Sequence, residues 1–412
     1  MSGPPMTSFR KPPGRGSALP ESNPFQRLAA LLGDRAPGAD PIVLTIGEPQ
    51  HAMPPFTAEV LAENMADFRR YPPIEGTPAF RTAVAGWLDR RYGLGGSIDR
   101  ERGVLPLNGS REGLSFGAIA ARDQLAKDIE RPAVLLPNPF YQTYAAAAHI
   151  AGAEAVLLDT GAETGFLPDL DALPPDLLDR TVAVYLASPA NPQGAHASLA
   201  YWQALIGLAR RHAFYIFADE CYSEIYRTSP PPGVLEAAHA LGAGYERVIA
   251  LNSLSKRSNL AGLRCGFAAG DPAFLARWVK FRGLAAPQVP LPAQALAVRA
   301  YSDEAHVIEN RRLYNEKYAI AERLLAPILG PVTPEGGFFL WLDVARWGGS
   351  IAVTERLWTE VGVKVLPGAY LASDRPDGSN PGEAYIRVSL CAPAAITQQA
   401  LERLADWLGG TA

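Results

Sequence analysis

"TVAVYLASPANPQGAHASLAYWQALIGLARRHAFYIFADE", residues 181–220, holds two short apolar runs separated by one longer helical stretch. The runs at 181–189 and 214–220 are apolar on successive positions, as strands covered on both faces must be. Between them, "LAYWQALIGLARRH" repeats its apolar residues at helical spacing. Strand, helix and strand in this order predict a parallel pair joined by a crossover helix.

The same alternation extends outward. Further strands are expected at "AVLLPN" (133–138), "EAVLLD" (154–159), "RVIALNS" (247–253) and "CGFAAG" (265–270). A helix is expected from Arg111, after Asn108-Gly109-Ser110. The fold class that follows is α/β, a three-layer sandwich with a mostly parallel central sheet. A long helical segment runs from about Ala293 to Leu325, and beyond it "GGFFLWLDV", "VKVLPG" and "YIRVSL" alternate with helices. With the early strand "PIVLTIG" (41–47) they predict a smaller α/β domain built from both chain ends. The expected division is a flexible arm over 1–22, the smaller domain over 23–55 and 290–412, and a large cofactor-binding domain over 56–289.

The 412 residues are 48% hydrophobic and 19% charged, which suits a globular protein with a large core. A net charge of −4 argues against a nucleic-acid surface, and no apolar run reaches a membrane span. The first 22 residues lack the apolar centre of a secretory signal. Three widely spaced cysteines and six scattered histidines give no CxxC and no HExxH. The expectation is a reduced, cytoplasmic protein without a metal centre.

Open α/β sheets bind ligands at the carboxyl ends of their strands. Polar residues collect there: Asn108 to Arg111, Asn138 and Tyr141, Asn191, Asp219 and Tyr222, then Ser253, Ser255 and Lys256, with Arg264 eight residues on. Lys256 stands out because the chain has 6 lysines against 32 arginines. A helix start suited to phosphate, an aromatic ring, a carboxylate and a lysine at one rim suggest pyridoxal 5'-phosphate. The lysine amine would join the cofactor aldehyde. The carboxylate would keep the pyridine nitrogen protonated, so that the ring accepts electrons.

These stretches resemble the class I/II aminotransferases of fold type I. The resemblance is carried by "IGEP", "YPPIEGTPAFR", "NGSREGL", "PNPFYQTY", "SPANPQG", "ADECYSEIY", "SLSKRSNLAGLRCGF", "GGFFLWLD", "VLPG" and "IRVSL", in that order. It implies Lys256 as the covalent lysine and proton carrier, and Asp219 as partner of the ring nitrogen. Tyr222 and Asn191 would bond the ring oxygen, and Tyr141 would stack on the ring. Ser110, Arg111, Ser253, Ser255 and Arg264 would hold the phosphate. Gly47 would line the substrate side and Arg387 would grip the α-carboxylate. Tyr71 would reach the neighbouring site across a homodimer interface.

The likeness is closest to the succinyldiaminopimelate subgroup, implying N-succinyl-LL-2,6-diaminopimelate as donor and 2-oxoglutarate as acceptor. The chain departs from the subgroup in carrying Gln193 where threonine is usual. Aspartate or aromatic amino-acid transamination, and a β-lyase activity on the same fold, are the alternative readings. The resemblance offers Arg282, Lys280 and Arg69 as candidates for the far end of the substrate.

Overall fold

The computed structural model describes residues 23–410 except 126 and 128. The expected arm at 1–22 lies outside the described residues.

The strands are β1 Ile42–Val43, β2 Val104–Leu107, β3 Ala133–Asn138, β4 Glu154–Asp159, β5 Thr181–Ala187 and β6 Tyr215–Asp219. They continue with β7 Val248–Ser253, β8 Gly266–Gly270, β9 Phe339–Asp343, β10 Val363–Lys364, β11 Leu366–Pro367 and β12 Tyr385–Ser389. The first helices are α1 Pro24–Leu32, α2 Thr57–Glu63, α3 Pro78–Tyr92, α4 Ser110–Gln124 and α5 Gln142–Ile150. Then come α6 Pro175–Arg180, α7 Leu199–His212, α8 Val234–Ala240, α9 Leu254–Arg257 and α10 Pro272–Ala285. The last are α11 Leu291–Ser302, α12 Ala305–Leu329, α13 Gly349–Val361 and α14 Ala394–Gly410.

Seven strands form one sheet in the order β2-β8-β7-β6-β5-β3-β4. Pairing is parallel from β4 through β7, while β8 runs antiparallel to both β7 and β2. Alternate residues enter different cores. Leu135, Leu186, Ile216 and Ala250 meet α3, α7, α8 and α11, whereas Leu136, Tyr185, Phe217 and Leu251 meet α4, α5 and α10. That period of two produces the three layers. Each fully buried large apolar side chain contributes about 1.5–3 kcal/mol.

A separate core gathers β9, β12, α12, α13 and α14. β1 pairs in parallel with β10, so the early strand joins this unit from the other end of the chain. The long segment expected from Ala293 to Leu325 is two helices. Their break is made by Asp303, whose carboxylate accepts bonds from the His306 backbone N–H (3.3 Å) and Nδ1 (2.6 Å). The first of the two, α11, buries Leu296, Ala297 and Tyr301 in the large core against α3. Residues 291–302 therefore pack with the seven-stranded sheet.

Candidate active site

β3, β5, β6 and β7 all end at one rim, followed by Tyr141, Asn191, Tyr222 and Lys256 in turn. Antiparallel β8 begins at that rim, because Gly266 pairs with Ser253 and Leu107. Arg264 and the Asn108–Arg111 turn are therefore drawn to the same edge. β3 leads outward to β4, while β5 leads the other way to β6, and the crevice opens at this switch point.

A cavity of about 840 Å³ lies over the rim. Gly47, Ser110, Arg111, Tyr141, Asn191, Asp219, Tyr222, Ser253, Ser255, Lys256, Arg264 and Arg387 all line it. Tyr71 does not; it is 96% exposed. Arg69 and Lys280 are exposed and off the cavity wall. Arg282 is buried and ion-paired to Glu112 (2.8 Å), so it is already neutralised within its own chain.

α4 opens on this cavity with Gly109 as its N-cap, at φ 77°, and no side chain caps it. A Cβ at Gly109 would stand 2.2 Å from Nη2 of Arg264. That guanidinium donates to Asn108 O (3.2 Å) and Ala261 O (2.9 Å). Beside it, the Ser253 and Ser255 hydroxyls are 2.9 Å apart. Free N–H groups at a helix start, serine hydroxyls and an arginine make an anion cradle.

Asp219 is buried at the end of β6. Its carboxylate accepts from Tyr144 OH (2.9 Å) and the Cys221 backbone N–H (3.3 Å). Burial raises the carboxyl, and hydrogen bonds from Cys221 and Tyr144 oppose the rise. Tyr144 had escaped the sequence reading. The available signal was its place three residues after Tyr141 in "PNPFYQTY", where Tyr141 is the N-cap of α5 and Tyr144 lies in its first turn. The rings meet edge to face at 5.7 Å. Tyr141 OH accepts from Arg111 Nε (2.8 Å).

Lys256 Nζ donates to Gly47 O and sits 5.2 Å from the centre of the Phe338 ring. Burial lowers its pKa below the usual lysine range. Gly47 is confined because a Cβ there would stand 2.6 Å from Phe339 and 3.1 Å from Phe338. The 44–47 segment is laid against its neighbours by Leu44 N to Lys364 O (2.8 Å) and Ser389 N to Leu44 O (2.8 Å).

Arg387 comes from β12, where Ile386 and Val388 face the smaller core and Arg387 faces the cavity. Only 4% exposed, it donates to Asn191 Oδ1 (3.0 Å) and Thr45 O (2.7 Å) and lies 4.1 Å over Phe339. Its buried Nε has no partner. Burial lowers it to about 10, which leaves it cationic at neutral pH. A buried guanidinium without a facing carboxylate calls for an acidic ligand. The bond to Asn191 also fixes that amide, leaving Nδ2 as a donor.

Lys256, Arg111, Arg264 and Arg387 thus face Asp219 and the neutralised Glu112. The site is net cationic, with an anion cradle, a buried carboxylate, a flat tyrosine and a depressed amine. This donor set fits pyridoxal phosphate beside an amino or oxo acid. No His, Cys, Asp or Glu group suited to a metal ion occurs among the described residues.

The family model described as aminotransferase class I and II matches residues 39–408. An LL-diaminopimelate aminotransferase of Dehalococcoides mccartyi is 32% identical, covering 90% of this chain and 92% of its own. A solved aminotransferase from Neisseria meningitidis is 36% identical, with a TM-score of 0.86 over 94% of this chain and 98% of that one. A probable N-succinyldiaminopimelate aminotransferase from Thermus thermophilus is 27% identical, with a TM-score of 0.80 over 93% and 100% of the two chains.

Proposed function

Because the chain belongs to the class I and II aminotransferases, fold type I enzymes that use pyridoxal phosphate, we propose that it exchanges an amino group between a 2,6-diaminopimelate-type donor and 2-oxoglutarate. The donor's CH–NH3+ becomes C=O, and the acceptor's C=O becomes CH–NH3+ to give glutamate. The observation carrying this reading is a depressed lysine and a buried, carboxylate-seeking arginine in one cavity. The sequence reading names the N-succinylated donor, as does the Thermus neighbour; the Dehalococcoides relative is named for the unacylated one.

When bound, the cofactor supplies the carbonyl that takes up the amino group and the conjugated ring that accepts the electron pair of the donor's Cα–H bond. Ser110, Ser253, Ser255, Arg111 and Arg264 would hold its phosphate. Asp219 would hold the ring nitrogen, Asn191 and Tyr222 the ring oxygen, and Tyr141 the ring face. Arg387 binds the α-carboxylate through two parallel N–H donors and so orients Cα. Lys256 takes and returns the proton at Nζ. Its lowered pKa raises the share of neutral amine near pH 7.

A homodimer and a cytoplasmic location belong to the same proposal. Tyr71, exposed and away from its own cavity, supports reach into a second copy, as do exposed Met65 and Phe68 in the same segment. Three free, buried cysteines suit a reducing compartment, and no described helix is long and apolar enough to cross a membrane. The purified protein with donor and 2-oxoglutarate should form glutamate. Release of ammonia without an acceptor would identify a lyase instead.

A further inference from the structure

A second recess, of about 200 Å³, adjoins the main cavity and shares Pro24, Phe140 and Gln142 with it. Its remaining wall carries Arg27, Tyr370, Asp374 and Asn380. From these residues, and resting on the diaminopimelate-type reading above, we infer that Arg27 and Asp374 form a distal subsite. It takes the free amino-acid head group of an unacylated 2,6-diaminopimelate.

The main cavity leaves this task open. Arg387 is suited to the α-carboxylate, Arg264 to the phosphate and Lys256 to the proton. Arg111 is turned onto Tyr141. Arg282, the buried candidate from the sequence, is tied to Glu112. Within one chain, the next cation along the wall from these is Arg27 in the recess.

Arg27 lies on α1, with its guanidinium 4.0 Å over the Tyr370 ring. It forms no ion pair among the described residues, so its N–H edge can receive a carboxylate. The helix beneath is well anchored. Asn23 closes a capping box with Gln26, and Leu28 and Leu32 pack on Trp358, Leu366 and Leu371. Leu371 in turn lines the main cavity and accepts the Phe140 backbone N–H (3.1 Å). The wall between the two spaces is thus one packed unit.

Asp374 supplies the complementary charge. It accepts from Asn380 Nδ2 (2.8 Å) and is paired with neither Arg27 nor any other cation among the described residues. A cation and an anion in one recess, unpaired with each other, match an ammonium and a carboxylate on one carbon. A succinylated amine offers Asp374 no charge. Its added four-carbon acid must also find room in a space of about 200 Å³.

Steady-state kinetics of the cofactor-loaded enzyme test this, with LL-2,6-diaminopimelate, its N-succinyl derivative and glutamate as amino donors. Arg27→Gln should raise KM for LL-diaminopimelate about tenfold or more, with kcat nearly unchanged and glutamate unaffected. Asp374→Asn should weaken LL-diaminopimelate but not the succinylated donor. The subsite is overturned if either variant leaves LL-diaminopimelate unchanged, or if glutamate weakens equally. It is also overturned if Asp374→Asn weakens both diaminopimelates alike. Failure of the wild-type enzyme to use any diaminopimelate overturns the donor reading along with the subsite. Turnover with indifferent variants overturns the subsite alone.

Discussion

Arg387 and Lys256 are charged side chains in a place where charge is expensive. Arg387 keeps a buried Nε without a partner, and a substrate carboxylate would satisfy it. Arg387→Gln should lower kcat/KM about 10–100-fold with every amino donor, mainly through KM, in steady-state assays. An unaltered KM would remove Arg387 from carboxylate binding. Lys256→Ala should fold, yet transaminate at least about 10³-fold more slowly. In protein free of cofactor, Lys256 should be half-reactive toward an amine reagent at a pH below the ordinary 10.5, as burial favours the neutral form. A titration at or above that value would contradict the cavity's effect on it. These residues stand out in the sequence because the proposed cofactor chemistry demands particular types in a particular order. Tyr144 was hidden because a tyrosine on an apolar helix looks like core. The pairing of Arg282 with Glu112 is not legible in the sequence because the two lie 170 positions apart.

At the scale of elements, the sheet strands were legible wherever apolar runs were bounded by helices. β2 was missed because it is four residues long and contains Pro106, which suits its position at the sheet edge. The break between α11 and α12 was missed because neither Gly nor Pro marks it; the side chain of Asp303 does so. The start of α4 provides its own test. Gly109→Ala would force a side chain into a positive-φ position against Arg264. Its affinity for pyridoxal phosphate, measured by fluorescence titration, should fall about tenfold or more. Full affinity would mean that the cradle is not built around this glycine.

Across the whole molecule, we propose two units that close on the cavity. One surrounds the seven-stranded sheet and includes α11; the other is built from both chain ends. Helical periodicity alone does not say which core a helix will face, so the sequence leaves the side taken by α11 open. Between β6 and α8, Glu220 accepts from Tyr92 OH (2.8 Å) and Val234 N–H (2.7 Å), and burial pushes its carboxyl up to about 7. Because this folded-state value lies above the ordinary 4.5, its protonated form adds stability at low pH that is lost as pH rises through 7. Glu220→Gln should therefore gain in thermal midpoint relative to wild type between pH 4.5 and 7. A constant difference would contradict the raised carboxyl. Sedimentation should give twice the 44.1 kDa chain mass if Tyr71 serves a second copy; a monomer with full activity would refute that role.

The central claim is that Lys256 is the amine to which the cofactor is joined. Borohydride reduction of protein reconstituted with pyridoxal phosphate, followed by peptide mass mapping, tests it most directly. The cofactor's mass should be found on the peptide containing Lys256. Its attachment to another lysine, or to none, would contradict the account.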